Sequence, residues 1–166
     1  MSIFAPSLSA CFYSCIKGAV IKKSKKRKDA LMSMSVILMV SGLLHLVLLI
    51  GHGTQIALSH GVSWGTGRRT VTPVRGDLDR RFERTVTNNT ESMIAFVPVT
   101  VAALTLGAET AVAVLAAKAF IGARIAFAGF YLCNVPYVRT VVWFVGNLCI
   151  AAIAYETFAV LAGTAA

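Results

Sequence analysis

Three polar residues, Arg84, Asn88 and Glu91, stand at positions i, i+4 and i+7, so on a helix they share one face. Arg81 extends this stripe by one turn toward the N-terminus, and residues 93–106 directly afterwards are largely apolar. Ionisable groups that enter an apolar helix are costly unless they face a bundle interior, a wet cavity or a ligand. The stripe therefore predicts one half of a polar ligand site between packed helices.

The composition indicates a membrane protein. Of the 166 residues, 57% are hydrophobic and only 14% are charged, whereas soluble domains carry about 25% charged residues. Seven of the sixteen basic residues lie between Lys17 and Lys28 and six lie between Arg68 and Arg84, so both clusters flank apolar segments. Basic residues at such positions set membrane orientation or contact anionic lipid. The net charge of +9 therefore does not indicate a nucleic-acid partner.

The apolar segments predict an all-α membrane protein, a four-helix transmembrane bundle. Each segment approaches the roughly 20 residues that cross the hydrocarbon core. We expect a basic, lipid-contacting N-terminal tail over residues 1–30, with an additional membrane segment there as the alternative, and the four-helix domain over residues 31–166. We expect a Gly- and Arg-rich loop over residues 59–76. Its positive charges either set membrane orientation and contact lipid or attract an anion toward the site. The predicted spans are 31–58, 77–106, 110–134 and 137–161.

The cysteines and histidines predict neither a disulfide framework nor a metal site. Two of the four cysteines lie in the basic tail and two lie within or beside apolar spans, and no metal-ligand spacing is present. His45 and His52 are seven residues apart and share a helix face, but no carboxylate or thiolate is spaced to join them. We expect these histidines to pack or to form hydrogen bonds inside the bundle.

Alternating helix directions bring further polar residues to the stripe. The loop between the first two spans and the turn between the last two must lie on the same side of the membrane. Tyr131 and, about two turns deeper, Arg124 approach from the third span, and Arg139 and Thr140 begin the fourth. Arg124 lies roughly 15–18 Å below the turn, at about 1.5 Å rise per residue. That depth requires a partner, and Glu91 is the expected one.

The combined set of arginines with one glutamate, one asparagine and one tyrosine suits a small ligand that carries two carboxylates and peptide groups. Arginine forks bind carboxylates in bidentate fashion, while Glu and Asn accept an ammonium and amides. The alternative is an ion-pair network that only holds the helices together.

Two motifs resemble a known family, the membrane-associated proteins in eicosanoid and glutathione metabolism (MAPEG). Arg84-x-x-x-Asn88-x-x-Glu91, preceded by Arg81, resembles the second-helix signature of that family. The segment 123–127, followed by Tyr131 and then by Pro-Tyr-Val-Arg-Thr at 136–140, is similar to its third-helix and turn pattern. The resemblance covers roughly residues 34–163.

The resemblance implies a homotrimer of four-helix bundles with glutathione bound between neighbouring subunits. Arg139 matches the arginine that faces the thiol in the synthases of the family, and Thr140 lies where some members carry a serine, so both are candidate catalytic residues. Phe127 departs from the pattern, because many members carry Tyr or His there. Ser92 replaces an aromatic residue of some synthases. The candidate glutathione-binding residues are Arg81, Arg84, Asn88, Glu91, Arg124 and Tyr131.

The expected function is that of a multi-pass membrane transferase or peroxidase that uses glutathione against lipophilic electrophiles or lipid hydroperoxides. Its membrane would be the endoplasmic reticulum or another internal membrane in a eukaryote, and the inner membrane in a bacterium. A non-catalytic lipid-binding or scaffold protein on the same fold is the alternative, since fold does not fix function. A small transporter or channel subunit is a third hypothesis, but it would distribute polar groups through both leaflets.

Overall fold

The computed structural model describes the backbone of residues 8–68 and 76–165, and the side chains of residues 34–68 and 76–163. The chain is helical over nearly all of these residues, and turns join the helices in an up-and-down order. The helices are α1 (Leu8–His60), α2 (Val62–Thr66), α3 (Asp77–Thr105), α4 (Ala111–Leu132) and α5 (Pro136–Ala165).

The bounds of α3, α4 and α5 lie close to those of the predicted second, third and fourth segments, whereas the first helix and the first loop differ from the prediction. α1 begins at Leu8, so the predicted span 31–58 lies inside a longer helix that includes much of the basic tail. The predicted loop 59–76 contains the short helix α2. The side chains of the basic tail, and Arg69 and Arg75 of the loop, lie outside the described residues.

Three stretches of the described chain are long and apolar enough to cross a membrane. They are Met34–His60, Ala111–Leu132 and Pro136–Gly163, with mean hydropathies of 2.4, 1.8 and 1.7. α3 is long enough at 29 residues, but the polar residues of its first half lower its hydropathy. The chain is therefore an integral membrane protein.

Two residues with positive φ end α3 and α4 and reverse the chain direction. Gly107 (φ 65°) follows α3, and Asn134 (φ 61°) follows α4. At each end, this residue donates to the carbonyl three residues back, and the next residue donates to the carbonyl five residues back. This is the Schellman arrangement, which Gly and Asn favour because they tolerate the left-handed conformation. Pro136 then starts α5, where its fixed φ suits the first turn of a helix.

The apolar core lies between the four long helices, each of which contributes buried side chains. Phe96 of α3 stacks on Phe120 of α4 with ring centroids 4.0 Å apart, and both side chains are fully buried. Ala113 and Ala117, one turn apart on α4, are also fully buried, and such small residues allow membrane helices to pack closely. α4 makes its most extensive contacts with α5.

A polar cluster, hereafter the junction cluster, joins the end of α1 to the start of α3. The carboxylate of Asp79 accepts hydrogen bonds from Ser59 Oγ and from His60 Nε2, each at 3.1 Å. Gln55 donates to Ser59 at 3.0 Å, and the His60 ring contacts Trp64. Burial raises the pKa of Asp79, but these hydrogen bonds and the charge of His60 outweigh burial, and the net effect is a lowered pKa.

Two further polar pairs join helices at other heights. The amide of Asn89 lies 2.9 Å from His45 Nδ1, which confirms the prediction that His45 forms a hydrogen bond inside the bundle. At the opposite end of the molecule, Thr110 caps α4 by accepting from the Ala113 N–H at 3.1 Å. The same hydroxyl donates to Glu156 at 2.6 Å, which ties the start of α4 to α5.

Candidate functional site

One groove, hereafter the polar groove, runs along the start of α3, the end of α4 and the start of α5. It consists of three adjoining hollows that share lining residues, and the largest has a volume of about 390 Å³ and is open to solvent. Tyr131 lines all three hollows, and Arg84, Asn88 and Arg139 each line two. The groove confirms that the loop before α3 and the turn before α5 lie on the same side.

Seven of the eight candidate site residues line this groove. α3 contributes four of them because they share one helix face, α4 contributes a residue from its last turn, and α5 contributes two from its first turn. Their roles toward a ligand remain predictions. The seven are Arg81, Arg84, Asn88, Glu91, Tyr131, Arg139 and Thr140.

Two of the groove arginines also contact the protein itself. Arg81 Nη1 donates to the carbonyl of Leu132 at 3.3 Å, which places a cation at the negative C-terminal end of α4. The Arg139 guanidinium lies over the Tyr131 ring at 4.9 Å, a cation–π arrangement. Both contacts fix the mouth of the groove, and Arg139 remains partly exposed beside it.

Arg124, the eighth candidate, lies behind the groove wall with only 1% of its surface exposed. Its Nη1 donates to Ser92 Oγ at 2.6 Å and to Asn88 Oδ1 at 3.2 Å. Its guanidinium also lies over the rings of Phe120 and Phe127, at 5.1 and 5.8 Å. Its Nε and Nη2 are buried without a hydrogen-bond partner among the described residues.

The predicted pairing of Arg124 with Glu91 is wrong for the chain as described. Glu91 is exposed and lines the largest hollow of the groove, whereas Arg124 is turned inward to Asn88 and Ser92. The two residues lie at similar depth, but depth does not fix the direction of a side chain. Ser92, which sequence reasoning treated only as a departure from the family pattern, is therefore a direct partner of Arg124.

The groove carries a small excess of positive charge. Its lining includes four arginines and three carboxylates, which gives a net charge of +1, and the buried Arg124 behind the wall adds another positive charge. Asp77 and Arg80 form an ion pair at the rim. A ligand with two carboxylates and one ammonium has a net charge of −1 and complements this arrangement.

Sequence reasoning missed several groove residues. Arg80, Glu83 and Thr87 widen the α3 face, because a groove between helices exposes more than one helical stripe. Asn134 lines the groove from the turn before α5, and Trp143 lines it about two turns into that helix. The helical periodicity that identified Arg84 also places Thr87 beside it, so that signal was available.

A comparison with known protein families matches the MAPEG family over residues 31–159. This match covers most of the chain. The chain belongs to the MAPEG family. A search of curated proteins and a search of solved structures each return no significant match. Members of the MAPEG family are membrane proteins associated with glutathione. The matched region contains the whole polar groove of this MAPEG protein, from Asp77 to Trp143.

Proposed function

We propose that this MAPEG protein is a glutathione-dependent transferase or peroxidase that acts on lipophilic electrophiles or lipid hydroperoxides. The observation that carries the proposal is the convergence of Arg84, Asn88, Glu91 and Tyr131 with Arg139 on one groove. These residues come from three helices, and the family resemblance assigns them to the binding and activation of glutathione. Their side chains supply the donors and acceptors that a tripeptide with two carboxylates and one ammonium needs.

The chemistry requires the thiolate of glutathione. A free thiol titrates at about 8.5, so little thiolate exists at neutral pH. Arg139 is the candidate that stabilises the thiolate, since a guanidinium close to the sulfur favours the charged form. Thr140, the next residue along α5, lies in the same hollow and is the candidate second donor to the sulfur.

Two reactions follow from a bound thiolate. In the transferase reaction, the sulfur bonds to the electrophilic carbon and the leaving group departs with the electron pair of the broken bond. In the peroxidase reaction, two glutathione molecules are oxidised to the disulfide while the hydroperoxide is reduced to an alcohol and water. The second substrate enters from the bilayer, because the groove opens beside helices with apolar, lipid-exposed faces such as Phe144 and Leu148 of α5.

The proposal includes a homotrimer in which α3 forms the fourth span of each subunit. A single chain leaves large apolar side chains exposed on α1 and α5, among them Met39, Val47 and Phe158 at 64–69%. It also leaves the polar groove open on one side. A neighbouring subunit would cover part of this apolar surface and close the groove, so that glutathione binds between two subunits.

Calorimetric titration of the detergent-purified protein with glutathione tests the proposal. Arg84→Ala is expected to raise the Kd between tenfold and a hundredfold, since a charge-assisted hydrogen bond contributes about 1.5–3 kcal/mol. Lys118→Ala is the matched control, because Lys118 is an exposed cation on α4 that does not line the groove. Equal effects of the two substitutions would contradict a specific site at Arg84.

A non-catalytic lipid-binding protein on the same fold is the second candidate. The apolar side chains of Phe127 and Trp143 line the hollow that also contains Thr140, and Phe127 stands where many family members carry a polar residue. This candidate predicts that the purified protein binds no glutathione and retains bilayer lipid in the groove. Mass spectrometry of the intact protein, with and without added glutathione, distinguishes the two candidates.

A further inference from the structure

Gly146 of α5 lies against the guanidinium of the buried Arg124. A Cβ atom built on Gly146 would lie 2.0 Å from Nη2, 3.0 Å from Cζ and 3.2 Å from Nε of Arg124. By comparison, a Cβ built on Gly163 of the same helix would have no such neighbour within 4 Å. Any other residue at position 146 would therefore occupy the space that the guanidinium now fills.

The guanidinium of Arg124 is held by contacts with two rings and by two hydrogen bonds. Its guanidinium contacts the rings of Phe120 and Phe127, and its Nη1 is hydrogen-bonded to Asn88 and Ser92. A side chain at position 146 would displace the guanidinium rather than the helix, because α4 and α5 pack together along their lengths while the guanidinium is the end of a flexible side chain. The displacement would break the two hydrogen bonds.

Asn88 transmits this displacement to the groove. Its side chain lines two of the three hollows, and its Oδ1 accepts from Arg124 at 3.2 Å. This bond fixes the amide plane and leaves the two N–H groups of Nδ2 to donate to a ligand carbonyl or carboxylate. Without Arg124 the amide would rotate freely, and a ligand would have to order it on binding.

We propose that Gly146 is a positioning residue of the glutathione site. Because glycine has no side chain, position 146 leaves a space, hereafter the socket, that holds the guanidinium of Arg124 against Asn88. This position of Arg124 thereby sets the affinity for glutathione. The role in affinity rests on the function proposed above. The socket itself rests on the geometry of Gly146 and Arg124, and it is testable by itself.

The test measures the glutathione Kd and the melting temperature of Gly146→Ala, with Gly163→Ala as the matched control on the same helix. Gly146→Ala is expected to weaken binding about tenfold and to keep the melting temperature within a few degrees, since alanine favours a helix over glycine. Gly163→Ala is expected to leave the Kd unchanged. A Kd for Gly146→Ala equal to that of the control would overturn the proposal.

The Arg124→Lys background separates positioning from general packing. Lysine has no Nη2, the atom that the new Cβ would meet at 2.0 Å, so Gly146→Ala is expected to have no further effect on the Kd in that background. Additive effects of the two substitutions would show that Gly146 does not act through Arg124.

Failure of the proposed function gives a different result from failure of the socket. If the unaltered protein binds no glutathione, the proposed function and the role of Gly146 in affinity are both contradicted. The socket is then tested with the larger Gly146→Val, which is expected to lower the melting temperature in the unaltered protein and to have a smaller effect in the Arg124→Lys background. An equal loss in both backgrounds would overturn the socket as well.

Discussion

The junction cluster and the surroundings of Arg124 each tie helices together around one buried polar side chain, Asp79 in the first and Arg124 in the second. The two side chains differ in how completely their hydrogen bonds are satisfied. Asp79 has a partner for each carboxylate oxygen, Ser59 for one and His60 for the other. Arg124 has partners only for Nη1, while Nε and Nη2 have none among the described residues. Buried polar groups are usually satisfied, and exceptions to such rules are expected at functional sites. From this comparison we propose that the junction cluster serves stability and that Arg124 serves the site.

Removal of the carboxylate of Asp79 is the substitution expected to destabilise the protein most. Asp79→Ala removes the buried carboxylate that accepts from Ser59 and His60, and the loss of this acceptor by the partly buried His60 is expected to cost about 1–3 kcal/mol. Thermal unfolding in detergent is expected to show a clear fall in melting temperature, while the folded protein keeps its glutathione affinity. Asp77→Ala is the control, because the Asp77–Arg80 ion pair is exposed and exposed pairs contribute little. An equal fall in the melting temperature of Asp77→Ala would contradict a particular contribution of Asp79 to stability.

Replacement of Arg124 is expected to have the opposite pattern. Arg124→Met removes a buried charge, two of whose nitrogens have no partner among the described residues, and keeps an apolar side chain of similar length, so the desolvation penalty of that charge is removed. The melting temperature is therefore expected to stay the same or to rise. Glutathione affinity is expected to fall at least tenfold, or about 1.4 kcal/mol, because Asn88 loses its partner. A large fall in melting temperature with unchanged affinity would reverse the assignment drawn from the comparison.

Acid is expected to act on the junction cluster. The pKa of Asp79 is lowered in the folded protein, so its carboxylate stabilises the fold above the unfolded pKa of about 3.9. That contribution is lost as the pH falls through the lowered pKa of the folded state. The melting temperature of the unaltered protein is expected to fall in this acidic range, and Asp79→Asn is expected to flatten this part of the profile. Parallel profiles for the two proteins would show that other carboxylates cause the loss.

The helices and the groove face could be predicted from local sequence signals. Gly107 and the Asn-Val-Pro segment at 134–136 mark two turns to within a few residues, because few residues adopt the left-handed conformation. The spacing of Arg84, Asn88 and Glu91 identified the shared face, because helical periodicity fixes which side chains are neighbours.

The contacts between helices could not be predicted in the same way. The junction cluster joins Asp79 to residues nineteen and twenty positions earlier, across a loop whose path no local pattern fixes. The Arg124 side chain points inward into space that is open because Gly146, on a different helix, has no side chain. Sequence spacing gives the height and face of a residue, but its partner depends on the packing of several side chains at once.

A substitution at the opposite end of the bundle, away from the groove, is expected to have the smallest effect on stability and none on the site. Thr110→Val removes the cap of α4 and the hydrogen bond to Glu156, and loss of a helix cap costs about 1 kcal/mol. A modest fall in melting temperature is expected with no change in glutathione Kd, because this end lies a full helix length from the groove. Thr105→Val is the control, since Thr105 is exposed and its hydroxyl donates only within its own helix. A changed Kd in Thr110→Val would mean that the packing of α4 against α5 couples the two ends of the bundle. The hydrogen bond between Thr110 and Glu156 would then also affect the site.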